Sequence, residues 1–342
     1  MPVDPLSVPD FDDLPPVQGM PQGCTWGIFD HNGQKDKIGT LNFLTPDIVK
    51  AAAAEIKDGV SISLNWNLNG NKNGFRNPAK HKIIHLNESI PMLPSHTHYW
   101  DDEITFNTQH SSQWDSLCHV QSTYTGFSYN DFQPTQETLT NCASTAENDA
   151  PTLDHWHEAG GMAARGVLID YKAYADEKGT PFHPLESVRI TAQDVEDCAA
   201  HFGVAFKPGD VLLVRTGATE VYENPTDEEV AKMQTGTLAG LHGCEDTARW
   251  IWNKRFTAVA SDAIAMEALP GLDKDGNPGG LGCLPLHQYL LSSFGMSIGE
   301  LWDLKNLSKY CKKTGRYSFM LTSVPLNIPC LIGSPPNALA IF

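Results

Sequence analysis

Chemistry-bearing side chains are densest in DDEITFNTQHSSQWDSLCHVQ, residues Asp101 to Gln121. If Gln109 to Asp115 continues a strand, alternation puts Gln109, Ser111, Gln113 and Asp115 on one face. His119 follows after a turn or a helix start. That gathers a carboxylate, an imidazole and two amides on one wall. A carboxylate beside a histidine orients the ring and raises its basicity, as a general base acting on water requires. Glutamine side chains can position a carbonyl or a water through both donor and acceptor groups. Trp114, Leu117 and Val120 are expected to flank the cluster, with Trp114 against the substrate or just behind it. The same pattern also fits a strand face whose polar residues satisfy one another.

A second pair is His287, within PLHQYLLSSFGM, and Glu300, which closes S-I-G-E. Leu290 and Leu291 lie on the turn next to His287, so this segment reads as a helix. Ser297 with Glu300 three residues later has capping-box spacing, so a helix start accounts for Glu300 as well as catalysis does. Asp154-His155-Trp156-His157-Glu158 points its residues to different sides of a helix and reads as solvated surface. His96 and His98 share a strand face, which loop polarity explains as well as metal or substrate contact does. The chain has no G-x-S-x-G elbow and no cysteine in a catalytic context. The Gly-rich GLDKDGNPGGLG (Gly271–Gly282) follows no strand, as a dinucleotide loop must, and reads as a turn-rich loop over a pocket.

These groups need a framework to hold them. Thr45 caps a helix with Pro46 at its first position, ending near Gly59, and VSISLNW then alternates as a strand. GVLIDY (Gly166–Tyr171), DVLLVRTG (Asp210–Gly217) and FTAVASD (Phe256–Asp262) read as short buried strands. Helices are predicted over ITAQDVEDCAAHFG, capped by Thr191, over EDTARWIWNK (Glu245–Lys254) and over SIGELWDLKNLSKYCKKTG. A last strand, SFMLTSVPL, follows. Strand and helix alternate, which predicts an α/β architecture around one main sheet. Residues 1–23 hold six prolines and four aspartates and read as an extended arm, with residues 24–342 as a single domain.

Lys and Arg number 24 against 41 Asp and Glu in 342 residues, a net charge of −17. That excess of acid argues against nucleic acid and anionic membrane surfaces as partners. Apolar residues at 41% and charged residues at 19% suit a packed core and exclude wholesale disorder. No run approaches the roughly 18 apolar residues of a membrane span. The eight cysteines are scattered without a C-x-x-C pair, which fits isolated thiols in a reducing compartment better than disulfides or structural zinc. No Lys or Arg precedes Lys35, so a basic presequence is not expected and a cytoplasmic location is.

Together these segments resemble the cyclase family of metal-dependent hydrolases, which includes kynurenine formamidase and isatin hydrolase. Where that family has H-x-G-T-H-x-D-x-P-x-H, this chain has QHSSQWDSLCH (Gln109–His119). Asp115 matches the motif aspartate and His119 its last histidine, while His287 and Glu300 match the family's later His and Glu. GDVLLVRTG, FTAVASD and SVPLNIPCLIGSPPNALAIF resemble its longer, fungal-type members. The likeness runs from about Trp26 to the C-terminus. It implies a swivelling β/β/α fold, with a central barrel-like mixed sheet flanked by helices, assembled as a homo-oligomer (dimer or tetramer).

The resemblance further implies a divalent metal held by the first two motif histidines and the aspartate, helped by the later His and Glu. It gives the last motif histidine an acid/base role. Here Gln109 and Gln113 replace both early histidines, Ser111-Ser112 replace Gly-Thr, and Leu117 replaces the proline. His110 is one position out of register and, on a strand, would face the opposite way. An amide oxygen is a poorer zinc ligand than an imidazole. Asp115, His287, Glu300 and Gln113 therefore make an oxygen-rich set that suits Mn²⁺ or Mg²⁺ better than Zn²⁺, or holds no metal firmly.

Three readings follow. The first is a hydrolase opening an amide or lactone of a small cyclic or aromatic metabolite. In it His119 is the general base, Asp115 orients His119 or holds a cation, Gln109 and Gln113 position the carbonyl, and His287 and Glu300 complete the wall. The second is a metal-independent lyase or cyclase of secondary metabolism, using His119 for dehydration or ring closure. The third is an inactive small-molecule-binding protein.

Overall fold

Short apolar runs bounded by turns make the centre of the fold. MAARGVLI, VLLV and AVAS are buried at nearly every position, as strands covered on both faces must be. The computed structural model describes residues 2–342 apart from residues 73, 75, 141, 274 and 281. Its strands are β1 (Ser61–Ser63), β2 (Lys80–His85), β3 (Trp100–Thr105), β4 (Gln113–Asp115), β5 (Met162–Ile169) and β6 (Arg189–Ile190). They continue with β7 (Val211–Val214), β8 (Gly240–Leu241), β9 (Ala258–Ser261), β10 (Ile298–Glu300), β11 (Ser318–Ser323), β12 (Gly333–Ser334) and β13 (Leu339–Ile341).

The main sheet has the order β1-β13-β11-β5-β7-β9-β10-β4-β12. Its middle strands β5, β7, β9 and β10 run parallel, while β4 runs antiparallel to both β10 and β12. The sheet is therefore mixed and curls into a half-barrel flanked by helices, in keeping with the α/β expectation. β2 and β3 form a separate antiparallel ribbon, and β6 pairs with β8. Apolar clusters line both faces of the sheet, with Trp252, Phe256 and Phe294 on one and Trp114, Trp302 and Phe319 on the other.

Local signals hold at several ends. Thr45 accepts from the Ile48 amide at 3.3 Å and starts the helix Pro46–Ala53, which stops short of Gly59. Thr191 and Asp194 form a reciprocal capping box on Ala192–His201. Elsewhere tertiary pairing overrides the local pattern. Ser297–Glu300 does not begin a helix: Ile298–Glu300 is β10, paired on both edges, and the helix starts at Lys305. Gln109–Ser112 is turn and bend, so the strand spans Gln113–Asp115 alone. LHQYLLSS opens as one turn, Pro285–His287, and continues as a π-helix, Gln288–Phe294.

The Asp154–Glu158 segment is not solvated surface, because Asp154, His155 and Trp156 are buried. Asp154 accepts from Asn148 and Thr152, and His155 Nε2 lies 3.1 Å from the Ala150 carbonyl. His96 and His98 lie in the turn before β3 and not on a strand, and His98 Nδ1 lies 3.0 Å from His85 Nε2 of β2. In the arm, Phe11 and Leu14 are buried, and the Arg255 guanidinium donates to the Pro5 and Val8 carbonyls at 3.0 Å each. Of the Gly271–Gly282 loop, residues 274 and 281 lie outside the described residues. Leu272 and Asp273 from it border a surface cavity together with Gln288. All eight cysteines are free. Among the described residues no helix is long and apolar enough to cross a membrane.

Candidate functional site

The β4–β10 register builds the site. Gln113 lies opposite Glu300 and Asp115 opposite Ile298, so alternation turns Gln113, Asp115 and Glu300 to one side. The intervening Trp114 turns to the other side. It packs against Trp156 and Trp302 and donates to Ser323 Oγ at 2.8 Å. Of the two places expected for Trp114, against the substrate or just behind it, the first is corrected: the ring is core, behind the strand that carries the wall. Ser111 also leaves the cluster, its hydroxyl donating to the Asn67 carbonyl at 2.9 Å.

A chain of side-chain hydrogen bonds runs along the wall. Gln109 Nε2 donates to Asp115 Oδ1, and Gln113 Nε2 donates to Gln109 Oε1 at 2.8 Å and to Glu300 Oε2 at 2.9 Å. Both protons of the Gln113 amide are thus engaged. This leaves Gln113 its carbonyl oxygen alone to offer, so it cannot serve as a donor to a substrate carbonyl. Gln109 reaches Asp115 from the turn and not from a strand. The approach depends on Gly333, which lies opposite Asp115 on β12. A Cβ there would sit 2.7 Å from Gln109 Nε2 and 2.8 Å from Thr108 Oγ1.

His287 closes the wall from its helical turn. Its Nε2 lies 3.1 Å from Glu300 Oε1, and its Nδ1 lies 2.6 Å from Glu267 Oε2. The other Glu267 oxygen accepts from the backbone N–H groups of Leu286 and His287. Glu267 is fully buried and fixes both the ring and the turn that carries it. No spacing signal pointed to Glu267. Burial alone would lower the His287 pKa, but the Glu267 and Glu300 carboxylates hold it well above its ordinary value. Burial, and then the charge of Asp115, raise the Glu300 pKa against the opposing pull of His287 and His119.

His119 lies near Glu300. Its amide closes a turn onto the Ser116 carbonyl at 3.0 Å, and its ring is half-buried, close enough for its charge to act on Glu300. No hydrogen bond joins it to Asp115 among the described residues; the Asp115 Oδ1 atom is taken by Gln109. The expectation that Asp115 orients His119 is therefore not what this geometry provides.

Two further residues face the wall. Arg76 feels the charges of both Glu300 and Asp115 while burial lowers its pKa. His110 is buried beside Gln109, since the strand alternation that would have turned it away does not extend to this bend. The signal for His110 was its place in the motif, and the register argument set it aside.

The ligand atoms of Asp115, His287 and Glu300 lie within 4.8 Å of one another. Asp115 Oδ2 and Gln113 Oε1 are buried without a hydrogen-bond partner, and Glu300 Oε1 meets the His287 ring alone. Buried oxygens are rarely left so, and two carboxylates beside one imidazole, with the Gln113 carbonyl oxygen free on the same wall, make a fitting oxygen-rich set for a divalent cation. With Nδ1–H held by Glu267, a cation would take Nε2 in place of the proton it shares with Glu300.

Comparison with known proteins bears on this geometry. The Cyclase family model, described as "Putative cyclase", matches residues 35–268. The crystal structure of a novel cyclase is 31% identical, with a TM-score of 0.76 over 93% of this chain and 99% of its own. Isatin hydrolase A from Ralstonia solanacearum is 16% identical, with a TM-score of 0.53 over 87% of this chain and 98% of its own. An isatin hydrolase bound to the product analogue thioisatinate is 15% identical, with a TM-score of 0.53 over 85% and 94%. The two isatin hydrolases are alike in fold. No curated protein matches the chain.

Proposed function

The chain belongs to the cyclase family, and from that premise we propose that it is a hydrolase opening an amide or lactone bond in a small cyclic or aromatic metabolite. One observation carries the reading: Asp115, Glu300 and the His287 imidazole converge on one buried wall, where Asp115 Oδ2 and the neighbouring Gln113 Oε1 have no partner. Isatin hydrolases with this fold support the reaction class.

His119 is the general base that removes a proton from the attacking water. Asp115, Gln113 and Glu300 present acceptor oxygens that hold that water. Gln109 and Gln113 fix the spacing of the two carboxylates, and Glu267 holds His287 in place. Arg76 places positive charge where a tetrahedral intermediate develops negative charge. A divalent cation held by Asp115, His287, Glu300 and the Gln113 carbonyl oxygen would add Lewis-acid polarisation of the scissile carbonyl and a more acidic water.

Glutamines at both early histidine positions favour a second reading, a lyase or cyclase that moves protons through His119 without activating water. Turnover of a panel of aryl amides, lactams and lactones in ¹⁸O-water separates the two. Label in the product carboxylate supports hydrolysis. Product formed without label, at a rate indifferent to chelator, supports the lyase or cyclase.

A further inference from the structure

Cys142 and Cys330 are far apart in the sequence, and the fold brings their thiols within hydrogen-bonding reach of each other. Separate contacts place both sulfurs at one step of the chain. Cys142 Sγ donates to the Glu147 carbonyl at 3.7 Å, and Cys330 Sγ lies 3.4 Å from Asn148 Oδ1. The Thr138 carbonyl lies 3.9 Å from Cys330 Sγ on another side. Both cysteines are free, so the structure holds the pair in its reduced form.

The two thiols differ in ways that suit stepwise chemistry. Cys142 is half-buried, while Cys330 is buried. Burial, and then the Cys142 thiol, push the Cys330 pKa up to about 12, so a reagent from solution meets Cys142 first. Cys330 also stands at φ 61°, a left-handed conformation that favours glycine. A side chain is costly there, and this one meets a second thiol. Directly after Cys330 the chain becomes the seat of the wall. The Leu331 carbonyl accepts from the Leu153 amide at 3.1 Å, the Ile332 carbonyl accepts from the Ser116 amide at 2.8 Å, and Gly333 lies opposite Asp115. β12 is two residues long and ends the main sheet, so few ladder bonds hold it.

We propose that Cys142 and Cys330 are a redox modification site, closing to a reversible disulfide that fastens the turn Thr145–Glu147 to the strip feeding β12. The oxidant is a small disulfide such as oxidised glutathione. The Cys142 sulfur loses its proton, bonds one glutathione sulfur and releases the other as a thiol. The Cys330 sulfur then loses its proton and bonds Cys142, and the second glutathione leaves as a thiol. Two protein thiols are oxidised, and one glutathione disulfide is reduced to two glutathiones. The bond closes a long loop of chain and so constrains the unfolded state. It forms whatever reaction the wall performs.

The test equilibrates the reduced full chain with oxidised glutathione and reads intact mass, proteolytic peptides and melting temperature. The wild type is expected to lose the mass of two hydrogens and to yield peptides joined through Cys142 and Cys330. Its melting temperature should rise by about 5 °C, and dithiothreitol should reverse both changes. Cys142→Ser should form no cross-link and show no rise. Cys330→Gly, which suits the backbone at φ 61°, should keep one glutathione on Cys142, and it decides the matter if Cys142→Ser does not fold. A folded wild type that takes up glutathione without a cross-link overturns the proposal. So does a cross-link from Cys330 to Cys118, the third thiol within range of its charge. A Cys142–Cys330 bond that leaves the melting temperature unchanged overturns the fastening role.

Discussion

Two regions gather histidines, acids and tryptophan, and they differ in almost everything else. On the β2–β3 ribbon, His81 pairs with Asp102 at 2.9 Å and Lys82 with Glu103 at 3.1 Å, and the His85 ring stacks on Trp100 at a centroid distance of 4.5 Å. Every residue of β3 is exposed, and the ionic groups are answered by their cross-strand neighbours. On the β4–β10 wall the acids are buried, and Asp115 and Gln113 each keep an oxygen without a partner. Among the described residues the ribbon brings no three ligand groups together as the wall does. Composition makes the two look alike. Burial with unsatisfied atoms distinguishes a site from a solvated face.

The comparison can be broken most forcefully at His119. His119→Ala is expected to lower kcat about 10²- to 10⁴-fold, the range for losing a general base, with little change in melting temperature. His81→Ala on the ribbon should leave kcat unchanged, and equal rates for both variants would strike His119 from the mechanism. Next in size is stability. Glu267→Ala should cost about 3–5 kcal/mol by urea unfolding, because a buried imidazole loses its carboxylate partner. Asp102→Ala should cost less than about 1 kcal/mol, as exposed pairs do.

Gly333→Ala sharpens the picture on a finer scale. The new methyl group must push Gln109 away from Asp115, and kcat should fall about ten- to a hundredfold through misplacement alone. A wild-type rate would show that the amide bridge is dispensable. The smallest expected effect is a gain. Gln109→His with Gln113→His should tighten Zn²⁺ binding about tenfold in calorimetry by restoring imidazole ligands, and no gain would contradict the geometry of the wall.

Much of the wall was legible through the family resemblance, because Gln109, Gln113 and Asp115 stand at its motif positions and His287 and Glu300 match its later His and Glu. Glu300 was ambiguous locally. Ser297 and Glu300 do have capping-box spacing, and strand pairing on both edges of β10 overrode it. Trp114 was readable and misjudged: placed between Gln113 and Asp115 on a strand, alternation alone sends it to the core. His110 was set aside by carrying that alternation into a bend where it does not apply. Glu267, Arg76 and Tyr222 were not readable. Glu267 reaches the wall through His287, and Arg76 and Tyr222 come within range of its charges, by long-range folding that nothing in their flanking residues encodes.

The central claim is that the buried face shared by β4 and β10 performs the chemistry. Its most direct test is the rate of label uptake from ¹⁸O-water, with the panel compound turned over fastest, in wild type and in Glu300→Gln. That variant keeps the shape of the side chain and removes its charge. The account predicts a fall of at least about a hundredfold, with folding intact by circular dichroism. An unchanged rate in folded Glu300→Gln would contradict it.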